Sequence, residues 1–324
     1  MDTASTSTPD AFTEAWLPGP DGTSFYTRTY ASAPCPARAA VVFVHGFSGH
    51  CARYEWMHGE YAARGVTVFT FDQRGFGRTA LDAEERARTP GALYGRTSWR
   101  EQLGDIEWWV RHVKDRYPGL PVFLMGHSMG GGLALAFATR PGAPPKQETL
   151  ALLSGIIAGS PLVQQSTPTA KPLRVVGGLA SGVLPWTLIA TPLIADDLSH
   201  DTAENQKYVA DPMVIQKGTL RGVNDMLSGG DHLLAKDYKS WPKNMPLLIL
   251  HGSADRITSP KASRDFFDKV EAEDKEYKVF DGGYHEVMRE PNGMKEEYAE
   301  ASTGWMLERA QNSGSRPVGD GSKL

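Results

Sequence analysis

The chain has 324 residues, 40% hydrophobic and 22% charged, with a formal charge of −4; these are ordinary globular values that leave no basic footprint for nucleic acid. The length suits one domain with an insertion. Two cysteines (Cys35, Cys51) cannot build a disulfide framework, no Cys/His group has metal-ligand spacing, and the small polar residues 1–10 contain no apolar segment of a secretory signal, so an intracellular protein with no metal and no cofactor is expected.

In chain order, residues 1–10 read as a disordered tail. Runs at 13–17 and 24–30, divided by Pro18-Gly19-Pro20-Asp21-Gly22, predict an antiparallel hairpin. Strands follow at 40–44 and 66–71. Residues 98–117 place Leu103, Ile106, Val110, Val113 and Tyr117 three and four apart, which predicts an amphipathic helix ended by Pro118-Gly119, with Trp108 and Trp109 as packing residues. Further strands are expected at 121–125, 149–153, 246–250 and 276–280, and a last helix at 292–310. This alternation implies an α/β fold, a mostly parallel central sheet flanked by helices. The expected division is a core of residues 11–155 and 245–310, an insertion at 156–244 and a flexible polar tail at 311–324.

Gly126-His127-Ser128-Met129-Gly130 follows the apolar run Val122 to Met125 and precedes a stretch of small residues. That is a Gly-x-Ser-x-Gly nucleophile elbow in its strand–turn–helix setting. A serine hydroxyl is a poor nucleophile unless the chain projects it toward a base. The partners must follow in the order acid, histidine. Asp255 sits just past the 246–250 strand, and His285 lies in the glycine-containing loop after 276–280. His285 would take the Ser128 proton and Asp255 would hold the imidazole in the productive tautomer. His251 lies too close to the acid's own strand to serve as the base, and His112, His200 and His232 lack a glycine loop after a strand. For the oxyanion, one donor is expected from the Met129 N–H. The other is expected from the Phe47 N–H, in the His45-Gly46-Phe47 loop after Val41-Val42-Phe43-Val44.

These motifs occur with Ser48-Gly49-His50, Arg53-Tyr54, Asp72-Gln73-Arg74-Gly75, Ser160-Pro161-Leu162 and Asp211-Pro212-Met213. Over about residues 15–310 the combination resembles monoacylglycerol lipases of the α/β-hydrolase superfamily, in their yeast and fungal form. The resemblance implies an α/β-hydrolase fold with a helical cap. It also implies hydrolysis of a monoacylglycerol to fatty acid and glycerol through an acyl-enzyme on Ser128. It puts Arg53 near the glycerol end and gives His50 a supporting role for the Phe47 loop; a purely structural ion pair is the alternative for Arg53. The mammalian members carry a glutamate in the His-Gly loop and a second histidine after the catalytic one. This chain has Gly49 and Met288 there, so strict preference for monoacylglycerol stays open, with lysophospholipase or general carboxylesterase activity as alternatives. An inert lipid-binding protein would show a broken triad position, and none is broken.

Residues 175–195 carry no charged side chain, a length that nominally spans a bilayer. Pro185, Pro192, Gly177, Gly178 and Gly182 argue against a spanning helix. A core-facing cap helix is expected instead, its apolar side chains, with Leu184 and Leu188 as substrate-binding candidates, covering an acyl tunnel and touching a lipid surface; packing on the sheet alone is the alternative. The final Ser322-Lys323-Leu324 matches the address read by the peroxisomal import receptor. A peroxisomal location is therefore expected, with cytoplasm, lipid droplet or peripheral membrane as alternatives.

Overall fold

The computed structural model of the chain describes residues 11–33, 35–89, 91–140 and 142–314. The expected tail at 1–10 and residues 315–324 of the expected tail at 311–324, the terminal tripeptide included, lie outside these residues; residues 311–314 belong to the helix before them and not to a flexible tail. The first two runs form the hairpin: β1 (Thr13–Pro18) and β2 (Ser24–Tyr30) pair antiparallel with Trp16 opposite Tyr26. β3 (Ala39–Val44), β4 (Val66–Phe71), β5 (Val122–His127) and β6 (Leu153–Gly159) follow. Within the insertion the short β7 (Leu188–Ala190) pairs antiparallel with β8 (Lys217–Thr219), and β9 (Leu247–Gly252) and β10 (Lys275–Phe280) then complete the main sheet. Its eight strands run β1-β2-β4-β3-β5-β6-β9-β10, antiparallel through β1, β2 and β4 and parallel from β4 onward.

β3, β4, β5 and β9 are buried along their whole length, and their near-continuous apolar sequences follow from having both faces covered. Along the core run α1 (Glu55–Ala63), the short α2 (Gly77–Leu81), the exposed α3 (Ala83–Arg88), α4 (Trp99–Arg116), α5 (Met129–Thr139) and the single turn α6 (Gln147–Leu150). The insertion adds α7 (Lys171–Val183), α8 (Thr202–Ala210) and α9 (Leu220–Ala235); α10 (Pro260–Lys269) and α11 (Met294–Gly314) close the chain. Alternate β3 residues enter two cores, Val42 and Val44 one, Val41 and Phe43 the other. The first core holds Trp109 of α4, Phe137 of α5 and Phe266 of α10; the second holds Tyr61 of α1 with Trp305 and Met306 of α11. α4 starts where Ser98 accepts the Glu101 N–H at 3.3 Å and donates its hydroxyl to the Glu101 carboxylate at 2.7 Å. Trp109 is core, whereas its neighbour Trp108 lies on the surface and donates its ring N–H to Pro18 O.

Two further expectations need correction. The strand expected at 149–153 is β6 at Leu153–Gly159, residues 147–150 form α6, and the insertion expected from residue 156 therefore begins only after Gly159. The apolar run Leu150 to Leu153 drew the reading early, because Gly155 and Gly159 make the real strand look weak. Those glycines admit close neighbours: a Cβ on Gly155 would stand 2.6 Å from the Trp305 ring, and one on Gly159 2.2 Å from the Tyr298 hydroxyl. The second correction concerns α7. It does not face the core; Leu179 is 72% exposed and Val183 80%, and only Ser181 is buried. No helix among the described residues is long and apolar enough to cross a membrane.

Candidate active site

Ser128 follows β5 directly and starts α5 from a left-handed conformation, φ 57°. Such a backbone is costly for a serine and persists only because its surroundings fix it. The Ser128 N–H donates to Gly159 O at 2.9 Å, and the Ser128 carbonyl accepts from the Gly132 and Leu162 N–H groups, each at 2.9 Å. The flanking glycines are obligatory: a Cβ on Gly126 would lie 2.0 Å from Gly130 O, and one on Gly130 2.1 Å from Val44 O.

The carboxylate and the imidazole meet as expected. His285 Nδ1 donates to Asp255 Oδ2 at 2.8 Å, and both residues are buried. Asp255 Oδ1 accepts from the Ile257 and Thr258 N–H groups at 2.7 and 3.0 Å. Its Oδ2 also meets the Thr258 hydroxyl at 2.7 Å and His251 Nε2 at 3.1 Å. Burial pushes the Asp255 carboxyl up, but the charge of His285 and hydrogen bonds from His251 and His285 outweigh it and hold it far below the usual range. Burial lowers His285 in turn, and the Asp255 carboxylate more than reverses this, so the imidazole is a stronger base than usual. Ser128 Oγ and His285 Nε2 have no hydrogen-bond partner among the described residues, and the His285 ring lies against that of His127, the residue before Ser128, at 4.8 Å between centroids.

The loop after β3 passes beside the serine. A Cβ on Gly46 would stand 3.2 Å from Ser128 Cβ, so glycine sets this approach. Neither the Phe47 nor the Met129 backbone N–H is used in a hydrogen bond among the described residues. His45 fixes the loop from beneath: its Nε2 accepts from Gln73 N–H at 2.8 Å, and the Gln73 side chain donates to His45 O at 2.6 Å. Burial draws His45 down to about 4, so it stays neutral in this acceptor role. His50, at the loop's end, pairs with Asp211 of the insertion at 2.7 Å.

A cavity of about 870 Å³ opens on Ser128 between the sheet and the insertion. Phe47 and Thr258 flank the serine, and Val176, Ile189, Leu193 and Met226 line the insertion side. The three residues expected to bind substrate are not among those lining this cavity. Leu184 and Leu188 are 58% and 46% exposed. Arg53 is buried in the alternative ion pair, its Nη2 donating to both Glu286 oxygens at 3.1 and 3.0 Å with the Tyr208 ring 4.8 Å away. Sequence reasoning missed Thr258 and discounted His251, which both reach Asp255. The spacing Asp255 to Thr258 is an N-cap-like signal that could have found the first; nothing local marks the second as a carboxylate partner. It also missed the partnerless buried hydroxyl of Tyr208 beside Arg53.

Residues 35–292 match the Hydrolase_4 family, described as serine aminopeptidase, S33. The chain belongs to that family. Monoglyceride lipase of Saccharomyces cerevisiae is 30% identical over 77% of this chain and 78% of its own. Monoacylglycerol lipase of Mycolicibacterium smegmatis is 31% identical over 78% of this chain and 83% of its own. Among solved structures, a soluble variant of monoglyceride lipase from Saccharomyces cerevisiae, in complex with a substrate analogue, superposes with a TM-score of 0.80 at 26% identity. It covers 95% of this chain and 97% of that one. The α/β-hydrolase fold and membership of the serine hydrolases, next to monoglyceride lipases, are thereby established for this Hydrolase_4 protein.

Proposed function

We propose that this protein hydrolyses monoacylglycerols to a fatty acid and glycerol, with Ser128 as nucleophile, His285 as base and Asp255 as its orienting acid. The observation that carries the reading is Ser128 on the wall of a largely apolar cavity, one residue after His127, whose ring packs on that of a buried His285 paired with Asp255. Ser128 Oγ attacks the ester carbonyl while His285 Nε2 accepts its proton. The oxyanion forms within reach of the Phe47 and Met129 N–H groups, and His285 then returns the proton to the departing glycerol oxygen. Water activated by His285 releases the fatty acid from the acyl-enzyme.

The acyl chain would run along Val176, Ile189, Leu193 and Met226. Two cations also line the cavity, but each is already paired, Arg174 with Asp231 at 2.9 Å and Arg256 with Asp197 at 3.2 Å. That favours an uncharged alcohol end over a lysophospholipid phosphate. The exposed Leu179, Val183, Leu184 and Trp186 form an apolar outer face suited to peripheral contact with the lipid surface where such substrates reside. We further propose delivery to the peroxisome by the import receptor that reads Ser322-Lys323-Leu324.

Purified protein should label with a fluorophosphonate and turn over monooleoylglycerol faster than lysophosphatidylcholine or trioleoylglycerol. Equal rates on the first two esters would leave a general carboxylesterase. Full activity in Ser128→Ala would overturn the mechanism.

A further inference from the structure

Arg53-Tyr54 lies in a short turn before α1, away from the cavity wall, yet it reaches three parts of the site. The Gly46 N–H, in the loop that offers Phe47, donates to the Tyr54 hydroxyl oxygen at 3.2 Å. The same hydroxyl lies 3.0 Å from His127 Nδ1. On the other edge of that ring, His127 Nε2 lies 3.2 Å from the carbonyl oxygen of His285. A carbonyl only accepts, so Nε2 carries the ring's proton and Nδ1 is left to accept from the Tyr54 O–H. Every proton in the chain therefore has one direction: Gly46 N–H to Tyr54, Tyr54 O–H to His127, His127 N–H to His285. Tyr54 and His127 are 4% and 2% exposed, so water does not compete for these bonds. Burial keeps both groups neutral, drawing His127 down to about 3 and pushing the Tyr54 phenol up, which preserves the pattern across the working pH range. One residue earlier, Arg53 grips Glu286, the residue after His285, with Nη2 to both carboxylate oxygens.

We infer that Tyr54, through His127, is a positioning residue that locks the oxyanion loop, the nucleophile elbow and the base loop into one register, with Arg53–Glu286 as a second fastening of the base loop. This rests on the reading of Ser128 and His285 given above. Neither Tyr54 nor Arg53 needs to touch the substrate for this. Tyr54→Phe keeps the ring that packs on Phe43 but removes the hydroxyl, leaving the Gly46 N–H and His127 Nδ1 buried without partners. His127 can then change tautomer and release the His285 carbonyl.

The test is steady-state kinetics of the full chain on a soluble aryl ester and on monooleoylglycerol, with fluorophosphonate labelling rates. Tyr54→Phe should lower kcat about 10- to 100-fold on both esters and slow labelling alike, with KM changed less than about twofold, as displacement of reacting groups by a fraction of an ångström does. His127→Gln, whose amide can accept from Tyr54 and donate to the His285 carbonyl, should retain clearly more kcat than His127→Leu, which can do neither. A Tyr54→Phe enzyme with kcat within about twofold of wild type and only a lower Tm would overturn the inference, as would equal kcat in His127→Gln and His127→Leu. A loss confined to monooleoylglycerol would also overturn it, since Tyr54 would then be meeting the alcohol group. Ser128→Ala in the same assays separates the levels: if it remains active, the nucleophile is misassigned whatever the Tyr54 variants do.

Discussion

At the scale of single residues, the site is governed by where protons are held. Asp255 raises His285 above its ordinary value of 6.5, so kcat/KM should fall as pH drops through a midpoint above 6.5, where the imidazole becomes protonated and cannot accept from Ser128. Asp255→Asn removes the charge that raises it. The midpoint should then move down, and kcat should fall by about 10⁴, because the amide favours the wrong tautomer. A pH–rate profile on a soluble ester reads both. Ser128→Ala should leave Tm nearly unchanged and abolish labelling. Glu286 shows the opposite sign. Burial raises its carboxyl, but Arg53 and Arg289 hold it down at about 2 against an ordinary 4.5. Its stabilising contribution is full above 4.5 and is lost as pH falls toward about 2. Glu286→Gln should cost about 3–5 kcal/mol, since it leaves Arg53 buried and unpaired, and it should flatten the acid limb of a stability–pH curve measured by urea unfolding.

Among the elements, the insertion separates two apolar surfaces that one stretch of sequence merges. In residues 175–195 the absence of charge was legible, but not which side chains turn inward. α7 and β7 divide them: Val176 and Ile189 line the cavity, while Leu179 and Val183 turn outward. Leu179→Glu with Val183→Glu should weaken liposome association and lower long-chain activity relative to a short soluble ester, with Tm within about 2 °C of wild type, since both side chains are already exposed. Enlarging Ile189 to Trp should instead shorten the preferred acyl chain without changing liposome association. A pair of variants with the same profile would mean that the two surfaces are one. The core strands were readable because the continuous apolar runs Ala39–Val44, Val122–Met125 and Leu247–Leu250, the last two preceded by a proline, leave few alternatives. β6 was not, because its glycines answer to Tyr298 and Trp305 far along the chain. Likewise Ser128, Asp255 and His285 stand in self-marking loops, whereas the ion pair of Arg53 and Glu286 spans more than two hundred residues and leaves no local trace.

For the whole molecule, the proposed address and the proposed chemistry are separable. Deleting Ser322-Lys323-Leu324, or masking it with a C-terminal tag, should move the protein out of peroxisomes and leave kcat in vitro unchanged. Colocalisation of an N-terminally tagged chain with a peroxisomal marker checks this, and an intact chain found only on droplets would assign its location to the outer face of the insertion. The same separation bears on synthesis. The gaps beside Gly155 and Gly159 are filled by Trp305 and Tyr298, so β6 acquires its last neighbours only when α11 has been made. A nascent chain halted before residue 298 would hold Ser128, Asp255 and His285 yet keep an open slot through its middle. The proposed triad would thus be complete in sequence before its strand is packed, and a chain cut short in α11 would present that slot to chaperones as an unfinished protein.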